Sequence, residues 1–147
     1  MPEKEAVEWS WSDAPIVLPL AYQPREWSAV YIAFYIAEYS GSKVYATHVL
    51  EGKEDHEFEK KLKADIDALA KSLSVKYEFI EVKPSSQPPG VEEVSRALVE
   101  AAKTRNAQAI VMSAPDTEGR HQASGSVTTT THGDFRTISY SSLVRKP

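Results

Sequence analysis

The residues best placed to do chemistry lie in the last third of the chain. Gln108-Ala-Ile-Val-Met-Ser-Ala-Pro-Asp116 reads as a buried strand running into a loop, and Gly125-Ser126-Val127-Thr128 follows. A Gly-Ser pair that opens a helix offers unpaired N–H groups and the positive end of the helix dipole, so an anion such as phosphate is the ligand this order of elements favours. Ser126, with the N–H groups of Gly125 and Val127, would hold it; simple capping of the helix by Ser126 is the plainer alternative. Arg120 and His121, in the loop, can add charge-assisted hydrogen bonds, against a plain reading in which both are solvated. The loop chemistry is nonetheless poor. It has one glycine, Gly119, and it carries Asp116 and Glu118. An aspartate facing a triphosphate adds about 1 kcal/mol of repulsion even at water-like screening, and Pro115 removes a backbone donor.

No constellation for catalysis accompanies this loop. The four histidines are scattered, without the two-on-one-face spacing of a metal-binding helix. His132 and Asp134 are close in sequence but fall in a turn. Ser126 lacks the strand-to-helix nucleophile elbow of hydrolases. With no cysteine there is no thiolate nucleophile, disulfide or Cys-ligated zinc. The expectation is therefore no metal and no catalytic residue.

Composition narrows the class further. A chain of 147 residues, 41% apolar and 26% charged, fits one globular domain. A net charge of −4 gives no general attraction to nucleic acid or to an anionic membrane. The acidic start, Met1-Pro-Glu-Lys-Glu, is too polar for a signal peptide, and Trp27–Ala37 falls short of the ~20 residues that span a bilayer. These features predict a cytoplasmic protein without membrane insertion.

The elements that would position the loop follow from periodicity. Residues 1–14 read as an irregular lead-in whose Trp9 and Trp11 pack on the domain surface or an edge strand, with a partner-binding anchor as the alternative. Residues 15–147 form one domain. Pro15–Leu20 is a continuous apolar run, as in a strand covered on both faces. Trp27, Val30, Tyr31, Phe34 and Ala37 recur at helical spacing, as do Phe58, Leu62, Ile66, Leu69 and Leu73, and then Val91, Val94, Leu98, Ala101 and Ala102. Strands are predicted at 44–50, 75–82, 109–112 and 137–144, with a final helix starting near Ser126. That helix is the weakest element, because Thr128-Thr-Thr-Thr131 suits an extended chain as well. Alternation of this kind implies an α/β fold with helices on both faces of a parallel sheet. Ligands of such sheets sit beyond the strand carboxyl ends, here the turns after Leu20, Leu50, Val82 and Met112. Near those turns, His48 reads as a packed or backbone-bonded residue, and Tyr22 as an exposed tyrosine, with base stacking as the alternative.

In this order and spacing, Ile16-Val-Leu-Pro-Leu20, the strand ending Thr47-His48-Val49, Ala97–Met112 and Gly125-Ser126-Val127-Thr128 resemble the universal stress protein family over roughly residues 15–145. The resemblance implies a three-layer α/β/α domain around an open, mostly parallel five-stranded sheet, of the adenine nucleotide α-hydrolase-like kind. It also implies a homodimer paired through the C-terminal strand, Thr137–Val144, and a role beside or attached to a membrane transporter or a signalling partner. Members that bind ATP or AMP have an aspartate just after the first strand and a loop of the form Gly-x2-Gly-x9-Gly-Ser/Thr. Here Ala21 stands at the aspartate position. Counting back from Gly125-Ser126 puts Pro115 and Met112 at the earlier glycines, and a one-residue shift puts Asp116 and Ser113 there. The expectation is a non-catalytic regulatory or sensing domain without a cofactor. The alternative is an ATP- or AMP-binding member that uses Ser113, Arg120, His121, Gly125, Ser126 and Val127, with slow ATP hydrolysis as a variant.

Overall fold

Ile16, Val17 and Leu18 have no exposed surface, as a central strand clad on both faces requires. They form β1, Ile16–Pro19, in a computed structural model that describes residues 11–22, 27–52, 54–84, 89–113, 126–132 and 135–141. On one side β1 pairs in parallel with β2 (Val44–Val49), which pairs with β3 (Tyr77–Val82). On its other side lies β4 (Ala109–Ser113), followed by β6 (Phe135–Ser141), again parallel. An antiparallel strand, β5 (Ser126–His132), closes that edge, so the order is β3-β2-β1-β4-β6-β5. The chain leaves β1 towards β3 and returns to the other side of β1 at β4. A crevice opens at such a reversal.

Among the described residues, three helices cover the two faces. Alternation along β1 sends Ile16 and Leu18 to one face and Val17 to the other. Ile16, Leu18 and Val111 pack with Val30 and Phe34 of α1 (Trp27–Ser40) and with Leu62 and Ile66 of α2 (His56–Leu73). Val17 and Ile110 pack with Ala102 of α3 (Val91–Thr104). The result is the expected three-layer α/β/α arrangement. No helix among the described residues is long and apolar enough to cross a membrane.

The lead-in is fastened where β4 starts. Gln108 Nε2 donates to the carbonyls of Ser12 (2.6 Å) and Ala14 (2.7 Å), and its Oε1 accepts from the Ser12 N–H (2.9 Å). Trp11 packs, half-buried, against the core beside α1 and α2. Trp9 lies outside the described residues.

Two expectations are corrected at the far edge. The predicted final helix is not formed at its expected start: Ser126–His132 is a strand, and among the described residues the sheet has six strands rather than five. Four consecutive threonines lose rotamer freedom in a helix and suit a pleated strand. β5 pairs antiparallel with β6 from Ser126 opposite Ser141 to His132 opposite Phe135. The second correction concerns pairing. β6 is bonded on both sides, to β4 and to β5, so the strand expected to pair between two copies has no free edge over Phe135–Ser141. Residues 142–144 of the predicted strand lie outside the described residues.

The start of α2 offers a local test. Asp55 is its N-cap, and one carboxylate oxygen accepts from the N–H groups of Glu57 and Phe58, both at 3.1 Å. Asp55→Ala should lower stability by about 1 kcal/mol, and Asp55→Asn by much less, as read from urea unfolding. Equal losses for both would remove the cap as the cause.

Candidate functional site

The sheet presents three strand ends at the crevice, those of β1, β2 and β4. Leu20 extends β1 by one bond, its N–H donating to the Thr47 carbonyl at 2.8 Å. Two residues on, Tyr22 adopts a left-handed backbone with φ of 62°, a conformation unfavourable for a bulky side chain. The turn sends its ring inward. Tyr22 is 5% exposed, and its ring centroid lies 4.6 Å from that of His48 at an angle of 51°. Lys63 Nζ, from α2, stands 5.8 Å from the Tyr22 ring and 5.3 Å from the Phe79 ring. The expected exposed tyrosine is therefore buried, because the positive φ folds it back over the end of β2.

His48 anchors this cluster. Its Nδ1 lies 2.7 Å from the Leu20 carbonyl oxygen, which can only accept, so Nδ1 carries a proton. Its Nε2 lies 2.7 Å from Glu54 Oε2, with a proton between them. The same carboxylate oxygen accepts the Glu51 N–H at 2.6 Å. Burial pushes the Glu54 carboxyl up, but the Glu51 N–H and His48 outweigh it and hold the group down at about 2. A histidine paired with a carboxylate suggests acid–base chemistry, yet a general base needs a nitrogen that can reach substrate. Both nitrogens of His48 are already bonded within the protein and the residue is 2% exposed. The pair instead ties the end of β1 to β2 and to the segment before α2.

Tyr22 and Glu54 supply the contacts that sequence reasoning missed. No spacing rule links His48 to Glu54, and Glu51-Gly-Lys-Glu-Asp55 reads as a solvated approach to a helix.

The predicted phosphate-loop residues are partly placed. Ser113 ends β4 and pairs in register with Tyr140 of β6, whose other neighbour is Val127 of β5. Ser113 and Val127 thus flank one residue at the carboxyl end of β4, two strand spacings or ~10 Å apart. Ser126 is opposite Ser141, in a strand rather than at a helix start, so the helix dipole invoked for an anion is not there. Gly125, Arg120 and His121 lie outside the described residues. Among the described residues, no group of three His, Asp or Glu side chains is placed to hold a metal.

A recess of about 590 Å³ lies at the opposite end of the sheet, lined by Lys43, Asp67, Lys71, Ser74 and Tyr77 among others. Three of its charges are in ion pairs: Lys71 with Asp67 at 3.1 Å, and Lys43 with Glu78 at 3.0 Å; Lys76 also lines it. Tyr77 donates to Asp67 at 2.6 Å, and burial followed by that carboxylate pushes the phenol up to about 12. The recess faces the amino ends of β2 and β3, away from the crevice, and we assign it no function.

No family model matches the sequence, and no curated protein matches it. The three-dimensional arrangement does have relatives. The universal stress protein from Archaeoglobus fulgidus aligns with a TM-score of 0.51 at 20% identity, covering 69% of this chain and 76% of that one. A protein of the universal stress protein family from Burkholderia pseudomallei aligns with a TM-score of 0.53 at 18% identity, covering 68% and 80%. The fold is universal-stress-protein-like. At such identities the likeness is one of architecture, and function has to be argued from side chains. Just beyond β1, Ala21 is exposed and the next residue, Tyr22, is buried with its ring against His48.

Proposed function

We infer that this chain is a non-catalytic regulatory or sensing domain on a universal-stress-protein-like fold, homodimeric and cytoplasmic, with no nucleotide cofactor. The observation that carries the reading is the burial of Tyr22 against His48 beyond β1. Ligands of such sheets bind beyond the strand carboxyl ends, and there an aromatic side chain of the protein itself is packed against His48. Ala21 and Pro115 support the same reading, since Ala21 offers no acidic contact and Pro115 no backbone N–H. The domain serves as a stand-alone stress protein or as the regulatory part of a transporter.

Equilibrium titration with ATP, ADP and AMP in the presence of magnesium tests this. Binding is expected only at millimolar concentration or not at all, with no release of phosphate from ATP. A second reading draws on Ser113 and Val127 flanking Tyr140 at the end of β4: nucleotide held by a non-standard loop. Micromolar binding that is lost in Ser126→Ala or Arg120→Ala would establish that reading and displace the first.

A further inference from the structure

Helix α1 is apolar or aromatic over most of its circumference. Its inner face buries Ala29, Val30, Ala33, Phe34 and Ala37. Its outer face, where a surface helix normally carries charge, carries Tyr31, Tyr35 and Tyr39, which are 46%, 51% and 83% exposed. These residues recur every four positions and form a ladder. Trp27 and Tyr31 ring centroids are 5.6 Å apart, and Tyr31 and Tyr35 are stacked at 6.3 Å. Among the fourteen residues of α1 the single charge is Glu38.

We propose that this aromatic ladder is a homodimer interface, in which α1 of one copy packs antiparallel on α1 of a second copy, with Tyr35 on the two-fold axis. The proposal rests on the homodimer of the preceding section and names its surface. Charge selects the occupant. Each copy carries a net charge of −4, so most surfaces of this protein repel one another, whereas the ladder brings one carboxylate per copy. With Tyr35 on the axis, Tyr31 faces Tyr39 of the other copy and Glu38 comes level with its Ile32. The two Glu38 residues, the only charges on the two α1 helices, are then six helical positions apart, ~9 Å along the axis. Aromatic side chains offer about 200 Å² each, so the exposed parts of the three tyrosines supply roughly 350 Å² per copy. The half-buried Trp27, Ile32 and Ile36 bring the total over both copies to about 1,000 Å², the lower bound for a specific, reversible interface. Tyrosine is enriched at such surfaces because its ring packs while its hydroxyl keeps a hydrogen bond to water.

The absence of cysteine makes the test direct. In sedimentation over a micromolar to high-micromolar series, the average mass should rise towards twice that of one chain, and Tyr35→Glu or Tyr39→Glu should return it to one chain. Thermal unfolding should stay cooperative in both variants, because these side chains are half or more exposed. Tyr35→Cys should give a disulfide-linked dimer under mild oxidation, since two Cα atoms on the axis fall within bridging distance. Tyr39→Cys should link to Tyr31→Cys in a mixture and not to itself. A dimer that survives both glutamate variants, with no Tyr35→Cys link, overturns this surface while leaving the homodimer standing. A chain that stays single throughout overturns both.

Discussion

Replacing Glu54 by glutamine is expected to cost about 3 kcal/mol at pH 7 and to flatten part of the acid limb of the stability curve. Burial alone would raise the carboxyl, since ionising a group shielded from water is unfavourable. The Glu51 N–H at 2.6 Å and His48 Nε2 at 2.7 Å reverse that preference and lower the group from 4.5 to about 2. A carboxyl depressed in the folded state stabilises the fold at pH above its unfolded value. That stabilisation is lost as pH falls from about 4.5 towards 2. Urea unfolding at pH 7, 4.5 and 3 should show the parent losing stability on acidification more steeply than Glu54→Gln. Glu59, lowered chiefly by its bond to Lys63, is present in both proteins, so its contribution cancels and the difference between the two curves reports the His48–Glu54 pair. Parallel curves would show that the His48–Glu54 contact does not hold the carboxylate in solution.

The elements that sequence made legible are those whose burial shows as periodicity. Ile16–Leu18 is a continuous apolar run because both faces of β1 are covered, and Leu62, Ile66 and Ala70 mark the stripe that α2 buries. The far edge was legible only in part. Thr128–Thr131 has low helix propensity, whereas the resemblance at Gly125-Ser126-Val127-Thr128 implies a helix, and the strand agrees with the propensity. The consequence reaches the site. With β5 in place of a helix, Ser126 and Val127 belong to the ladder beside β6, and anion binding there loses the helix N-terminus that motivated it.

The chemistry of the crevice was harder to read than the fold, for a physical reason. His48 is recognisable as a structural histidine from its place at the end of a buried strand. Its partner Glu54 comes from an acidic segment that looks solvated, and nothing local distinguishes it from Glu51 or Asp55. Asp55 caps α2, while Glu54 turns inward to His48. Tyr22 is hidden from pattern reasoning for a related reason: a tyrosine two residues beyond a strand is ordinarily exposed. Only its positive φ brings the ring over His48.

That backbone conformation supplies the sharpest test of the filled crevice. Removing the Tyr22 ring should cost about 4 kcal/mol in Tyr22→Ala, within the range for buried aromatic truncations. Glycine removes one atom more, and in a relaxed backbone it would cost more than alanine. At a φ of 62° the order should invert, because glycine escapes the left-handed penalty of roughly 1 kcal/mol that alanine retains. Tyr22→Gly is therefore expected to unfold at a higher urea concentration than Tyr22→Ala. Both variants leave a void bounded by His48 and overlooked by the Lys63 ammonium, suited to a planar, electron-rich ring. Adenosine or indole at millimolar concentration should raise the melting temperature of Tyr22→Gly and leave the parent unchanged, since a ligand that binds only the folded state stabilises it. If alanine proves the milder change, the positive φ is not a feature of the protein in solution. If neither compound shifts the glycine variant, the void closes, and the Tyr22 ring is a packing residue rather than the occupant of a ligand's place.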